Sequence, residues 1–173
     1  MSVHVRPLSP TEIKANALQL ADLLIEVVHG GEPMGFFAPL DRNHARDYWL
    51  SLRRDVHVGR RVVLAAYCDD RIVGSGQLEF PTWANGRHRA ELQKLFVSAS
   101  HRGGGVGTML VVALHGAARD RGRCLILLGT RHRGRAEGFY RALGYREVGV
   151  IPGYSVGLAG ERYDHIRLYR ELV

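Results

Sequence analysis

Arg102-Gly103-Gly104-Gly105-Val106-Gly107-Thr108 is the stretch on which the reading of this chain turns. Ahead of it, Arg89 to Val97 reads as a strand. Behind it, a helix is expected from the loop to about Asp120, because Val106, Met109, Leu110, Ala113, Leu114 and Ala117 keep the spacing of a core-facing stripe. Glycines at a strand-to-helix junction let the main chain approach a ligand and turn successive N–H groups outward. The new helix adds unsatisfied N–H groups and a positive end, so the junction suits a pyrophosphate. Two phosphate ligands fit badly. A dinucleotide fingerprint requires GxGxxG, which the glycine spacing and Thr108 break, and a P-loop requires lysine after glycine, which is missing here.

Working outward, Val3 to Leu8 reads as a strand and Thr11 to about Val28 as one helix, with Ser9 or Thr11 as its N-cap. His29 to Gly35 breaks that helix, and a second is expected from Asp41 to about Val56. Val62–Tyr67 and Arg71–Phe80 form a hairpin around Asp69-Asp70. In the strand Arg89 to Val97 a regular pleat puts Glu91, Gln93, Leu95 and Val97 on one side, and a bulge shifts that assignment. Cys124 to Leu128 is uniformly apolar, as in a central strand covered on both faces. A helix from Arg135 to Leu143 ends at Gly144, and strands at Tyr145–Val150 and about Tyr163–Tyr169 close the chain. The pattern is a single α/β domain over 1–173: a mixed sheet with helices on both faces.

Composition sets the wider limits. At 46% hydrophobic and 24% charged residues the chain is that of a soluble globular protein. No apolar run reaches the ~20 residues that cross a bilayer, so no membrane partner is expected. The N-terminus shows no export pattern, and Cys68 and Cys124 lie in apolar stretches, so buried reduced thiols in a cytoplasmic protein are expected. Of the +7 net charge, Arg102, Arg121, Arg123, Arg131, Arg133 and Arg135 gather beside glycines at helix entrances, which points to a compact polyanion. A basic stripe interleaved with aromatics is missing, which argues against nucleic acid. No HExxH or similar spacing among the histidines suggests a metal.

Arg102-x-x-Gly105-x-Gly107 at a strand-to-helix junction resembles the acetyl-CoA signature of the GCN5-related N-acetyltransferase (GNAT) superfamily. Ala136-Glu137-Gly138-Phe139-Tyr140-Arg141-Ala142-Leu143-Gly144-Tyr145 resembles its later motif. The resemblance implies a mostly antiparallel sheet in which strands near Leu92–Val97 and Leu125–Leu128 splay apart around the pantetheine arm. It implies acetyl-CoA as co-substrate, and the histidine spacing leaves no metal expected beside it. Three stretches, Val28–Phe36, Asn85–Leu95 and Ile151–Tyr154, are similar to the subgroup typified by the tabtoxin resistance protein. That subgroup implies acetylation of a small antibiotic- or toxin-like amine. In one respect the chain departs from it: Leu128-Gly129-Thr130 stands where the subgroup has an acidic residue.

Acetyl transfer to an amine assigns roles. Arg102, Gly103, Gly104, Gly105, Val106, Gly107 and Thr108 would hold the pyrophosphate. Leu95, Phe96 and Val97, with Phe139, would line the pantetheine, and the Val97 N–H is the candidate oxyanion donor. Tyr140 is the candidate acid: an ordinary tyrosine, with pKa about 10, keeps its proton at pH 7. The alternative is a core tyrosine satisfied by a backbone carbonyl. Glu91 is the candidate base, acting through water, or else a glutamate paired with Arg89 or Lys94. Gln93, Thr130, Tyr154 and Phe36 are candidates for the acceptor pocket. A protein or peptide amine, or a non-catalytic acyl-CoA-binding module, are the competing readings. The oligomeric state stays open, a homodimer included.

Overall fold

The structure is a computed structural model and describes residues 2–32 and 34–172; Pro33 of the 28–36 stretch lies outside them. In chain order it contains β1 (Val3–Pro7), α1 (Pro10–Ala15), α2 (Ala17–His29), α3 (Arg42–Ser51), α4 (Arg53–His57), β2 (Arg61–Cys68), β3 (Arg71–Glu79), β4 (Arg89–Val97), α5 (Val106–Arg119), β5 (Leu125–Arg131), α6 (Arg135–Ala142), β6 (Arg146–Val156) and β7 (Arg162–Glu171). Both helices expected as single pieces are divided. Ser9 and Glu12 cap α1 reciprocally, but at Asn16 both the main-chain N–H and the side-chain amide donate to the Glu12 carbonyl, and the helix stops. An Asn side chain that competes for helical carbonyls in this way marks a boundary that apolar periodicity does not show. Leu52 divides α3 from α4.

Among the described residues seven strands form one sheet in the order β1-β2-β3-β4-β5-β7-β6, in which only β4 and β5 run parallel. Helices α5 and α6 cover one face, and α1 to α4 cover the other. Strand β2 shows why it reads as a continuous apolar run: Val62, Leu64, Ala66 and Cys68 enter the core under α5, while Val63, Ala65 and Tyr67 enter the core under α2 and α3. Cys68 is buried as expected; Cys124, just ahead of β5, is exposed, contrary to expectation. Among the described residues no helix is long and apolar enough to cross a membrane.

The sheet parts at its centre. β4 pairs with β5 only from Arg89↔Leu125 to Glu91↔Leu127. Past that point β4 follows β3 and β5 follows β7, and a gap opens between Leu92–Val97 and Leu128–Arg131. A bulge in β4 accompanies the parting. Lys94 has φ 49, and the register against β3 slips between Ser75 and Gln77. One extra residue reverses the faces beyond it. Glu91 and Gln93 therefore point to the side of α3, whereas Leu95 and Val97 pack into the core under α5. The regular pleat expected from the sequence does not hold past Gln93. Ser98 N–H donates to Val73 O at 2.8 Å on the β3 side. By strand alternation the main-chain groups of Val97 face the other way, into the gap.

Candidate active site

The gap and the glycine loop together form a slot of about 430 Å³. Leu95, Phe96 and Val97 form one wall; Ala136, Phe139 and Tyr140 form the other; Arg102, Gly103, Gly105, Val106, Gly107 and Thr108 close the end. Gly103 (φ 78) and Gly105 (φ 81) occupy left-handed conformations with open space where a side chain would stand. Gly107 has a different task. A Cβ there would lie 3.3 Å from Phe139 Cζ, so its absence lets Phe139 close on the loop. Within α5 the Met109 N–H bonds back to Gly105 O at 3.0 Å, which leaves the N–H groups of Val106, Gly107 and Thr108 without helical partners. Arg102 ties the loop to β4: its Nε donates to Val97 O at 3.1 Å. Across the mouth, Arg135 pairs with Glu32 at 3.2 Å.

Tyr140 is carried by a short helix that is locked at both ends. At its C-terminus Gly144 (φ 82) allows Tyr145 N–H to reach back to Tyr140 O at 3.1 Å, which stacks the two rings edge to face at 5.4 Å. The Tyr145 hydroxyl is satisfied by His115 Nε2 at 2.7 Å, whereas the Tyr140 hydroxyl has no hydrogen-bond partner among the described residues and faces the slot. Burial raises the Tyr140 pKa above the ordinary value, with the neighbouring Tyr145 adding to the effect. At its N-terminus the buried Glu137 accepts from Arg133 N–H at 2.7 Å, from Arg141 Nε at 3.0 Å, and pairs with His132 at 3.1 Å. Burial pushes the Glu137 carboxyl up, but these donors outweigh it and hold the group below its usual range. A depressed carboxylate contributes stability that is complete above the unfolded pKa of ~4.3 and is lost as pH falls through the folded value. Glu137→Ala is accordingly expected to cost about 1–3 kcal/mol in urea melts at pH 7 and much less in the same melts near pH 3.

On the face opposite α5, Glu91 is held by Arg167 of β7 at 2.8 Å, not by Arg89 or Lys94. Gln93 accepts from Arg61 at 3.0 Å and donates to Glu79 at 2.9 Å. Glu91, Gln93, Glu79 and Arg167 line a second cleft of about 420 Å³, so both acceptor-side candidates of β4 lie outside the slot itself. Phe36 packs edge to face on Tyr48 at 5.3 Å, with Lys94 Nζ 5.5 Å from its ring and bonded to the Met34 carbonyl. Tyr154 is exposed and stacks on His165 at 4.1 Å. Thr130 shares the face of Ile126 and Leu128, toward the helices. His29 serves the backbone, its Nε2 accepting from Leu40 N–H at 3.0 Å. Arg61, Arg167 and His165 are polar groups of this face that were missing from the sequence reading. The alternation of β7 carries the signal for two of them, because it places His165 and Arg167 on one side away from Ile166 and Leu168.

An α/β sheet parted at its centre, with a positive helix end at the head of the gap, defines a protein built for a long phosphate-bearing ligand lying between strands. The Acetyltransferase (GNAT) domain matches residues 59–147, about half of the chain, and the chain belongs to that family. An uncharacterized N-acetyltransferase of Methanocaldococcus jannaschii is 37% identical over 70 residues, which cover 39% of this chain and 30% of that relative. The chain thus spans about a third of the curated relative it matches. Among solved structures, the ribosomal-protein-alanine N-acetyltransferase of Brucella melitensis superposes with TM-score 0.78 at 23% identity, covering 98% of this chain and 99% of that one. Salmonella typhimurium yncA, solved with its cofactor acetyl-CoA, superposes with TM-score 0.81 at 17% identity, covering 100% and 95%. At such identities the superpositions speak for the fold.

Proposed function

We propose that the protein transfers an acetyl group from acetyl-coenzyme A to the amine of a small molecule. The slot carries this reading: it presents free N–H groups at one end, strand main chain along one wall and an unpartnered phenol on the other. A diphosphate fits the amides of Val106 to Thr108, and Arg102 stands beside it as a cation. The pantetheine arm fits between Leu95–Val97 and Phe139, where a Cβ on Gly107 would crowd the ring. When bound, the co-substrate supplies an acetyl thioester. Val97 N–H, facing the gap, is placed to stabilise a developing oxyanion. Tyr140 holds its proton throughout the neutral range and is placed to donate it to sulfur. Glu91, beside Arg167 at the foot of the gap, supplies the negative charge that favours removing a proton from the acceptor.

A small acceptor is supported by the aromatic and turn residues beside the two cavities: Met34 lines the slot, Phe36 packs on Tyr48 beside Lys94, and Tyr154 stacks on His165 of the face that carries Glu91. Similarity of residues 28–36, 85–95 and 151–154 to the subgroup typified by the tabtoxin resistance protein points the same way. Thiol release from acetyl-CoA, followed with amino acids, amino-acid amides, polyamines, amine-bearing antibiotics and a peptide with N-terminal alanine, tests the reading. Turnover is expected with a small primary amine and at least about tenfold slower with the peptide. A preference for the peptide replaces the small-molecule reading with protein acetylation. Tight acetyl-CoA binding without turnover on any amine replaces it with a binding module.

A further inference from the structure

Gly129 lies on the β5 rim of the gap, two residues past the last β4–β5 pair. Its missing side chain is replaced by a neighbour. A Cβ built on Gly129 would stand 1.9 Å from His165 Nε2, so the imidazole of β7 occupies the space above this glycine. Register places the group. Gly129 pairs with Arg167 and Arg131 with His165, so all four share the face that Leu127 and Glu91 also share. His165 Nε2 is out of contact with solvent and has no hydrogen-bond partner among the described residues. A buried ring nitrogen without a partner has given up its hydrogen bonds to water for nothing in return, a cost that structures seldom leave uncompensated without a function.

The charges around the ring set its state. Burial lowers the His165 pKa, Arg167 on the same strand lowers it further, and Glu91 of β4 opposes them. From β6, Tyr154 stacks on the ring, and Arg131 of β5 is engaged over Tyr163 at 3.7 Å. The imidazole is therefore neutral at pH 7 and can accept one proton. Glu91 is placed differently: its Oε1 already accepts from Arg167, and it sits where the two strands are still joined.

Resting on the acetyl-transfer reading above, we propose that His165 is a catalytic residue, the immediate proton acceptor for the attacking amine. The acceptor displaces Tyr154 from the ring face, the freed imidazole tips its Nε2 off Gly129 toward the gap, and Nε2 meets the attacking nitrogen. The amine nitrogen forms the new C–N bond, its proton passes to Nε2, the C–S bond breaks, and the sulfur takes a proton from Tyr140. Glu91 then offsets the charge of the imidazolium. Solvent then takes the proton from His165 and supplies one to Tyr140, which restores both groups.

The test compares wild type, His165→Gln and Gly129→Ala with acetyl-CoA and the fastest amine of the thiol-release screen, from pH 5 to 8. His165→Gln is expected to lower kcat/KM about 100-fold at pH 7.5. The ratio of wild-type to variant kcat/KM cancels the titration of the amine itself. For a proton acceptor that ratio grows with pH and levels once the imidazole is neutral, whereas for a packing residue it stays constant. Gly129→Ala keeps the imidazole but expels it from its position, and is expected to reproduce the loss with a melting temperature within a few degrees of wild type. A ratio that is flat with pH in His165→Gln, or full activity in a folded Gly129→Ala, overturns the assignment of His165 and leaves acetyl transfer standing. If wild type releases no thiol with any amine, the acetyl-transfer reading fails and this one with it.

Discussion

A Tyr140→Phe variant is expected to lose about 10³-fold in kcat while binding acetyl-CoA within about threefold of wild type. The separation follows from how the side chain is held. Its ring packs edge to face on Phe139 at 5.2 Å and on Tyr145 at 5.4 Å, and phenylalanine keeps both contacts. The hydroxyl is the only part removed, and it makes no hydrogen bond with the described residues, so the folded state loses little. Buried tyrosines more often satisfy themselves on a neighbour, as Tyr145 does on His115. Burial raises the pKa of Tyr140, so the proton stays on oxygen through the whole neutral range and is available as negative charge grows on sulfur. Stopped-flow or steady-state thiol release reports kcat, and calorimetry with acetyl-CoA reports affinity. An unchanged kcat in a folded variant removes Tyr140 as the acid. A matched loss of affinity and kcat instead makes it a wall of the slot.

What the sequence displayed well was local. The stretch 102–108 gathers its glycines within one turn of a helix start, and the stripe behind it identifies α5. Gly144 likewise ends α6 through residues that are neighbours in the chain. The face that carries Glu91 is less legible because it is assembled across strands. Glu91 and Arg167 are 76 positions apart, and their meeting depends on β7 inserting between β5 and β6, an order that periodicity alone does not provide. The bulge at Lys94 was similarly hidden. Arg89 to Val97 alternates well enough to look regular, and the slip appears only when β3 is laid against it. That slip turns Glu91 and Gln93 away from Leu95 and Val97 and so divides the second cleft from the wall of the slot. The exposed Cys124 shows the same limit at smaller scale: it borders an apolar run but precedes the strand that the run builds.

The loop itself admits a test that separates conformation from crowding. Gly105→Val is expected to weaken coenzyme A binding by at least about 100-fold, while Gly104→Ala leaves it within about threefold. Gly105 caps α5 with φ 81, where a Cβ would meet nothing within 4 Å, so valine is opposed by the backbone angle and not by a neighbour. Left-handed backbone costs an L-residue about 1–2 kcal/mol, more when it is β-branched. The loop is expected to relieve this by rotating the peptide ahead of Val106, which re-aims the N–H groups proposed to hold the pyrophosphate. Losing two charge-assisted hydrogen bonds at about 1.5–3 kcal/mol each corresponds to roughly 10²–10⁴ in affinity. Gly104 has no positive φ, and a Cβ on it would sit 3.7 Å from His101 O in ordinary contact, so alanine fits. Acetyl-pantetheine, which lacks the phosphates, sharpens the comparison: its weak binding should be the same in wild type and Gly105→Val. If Gly105→Val binds coenzyme A as wild type does, the amides of this turn are not the diphosphate site. If instead it weakens acetyl-pantetheine equally, the substitution has closed the slot between β4 and α6.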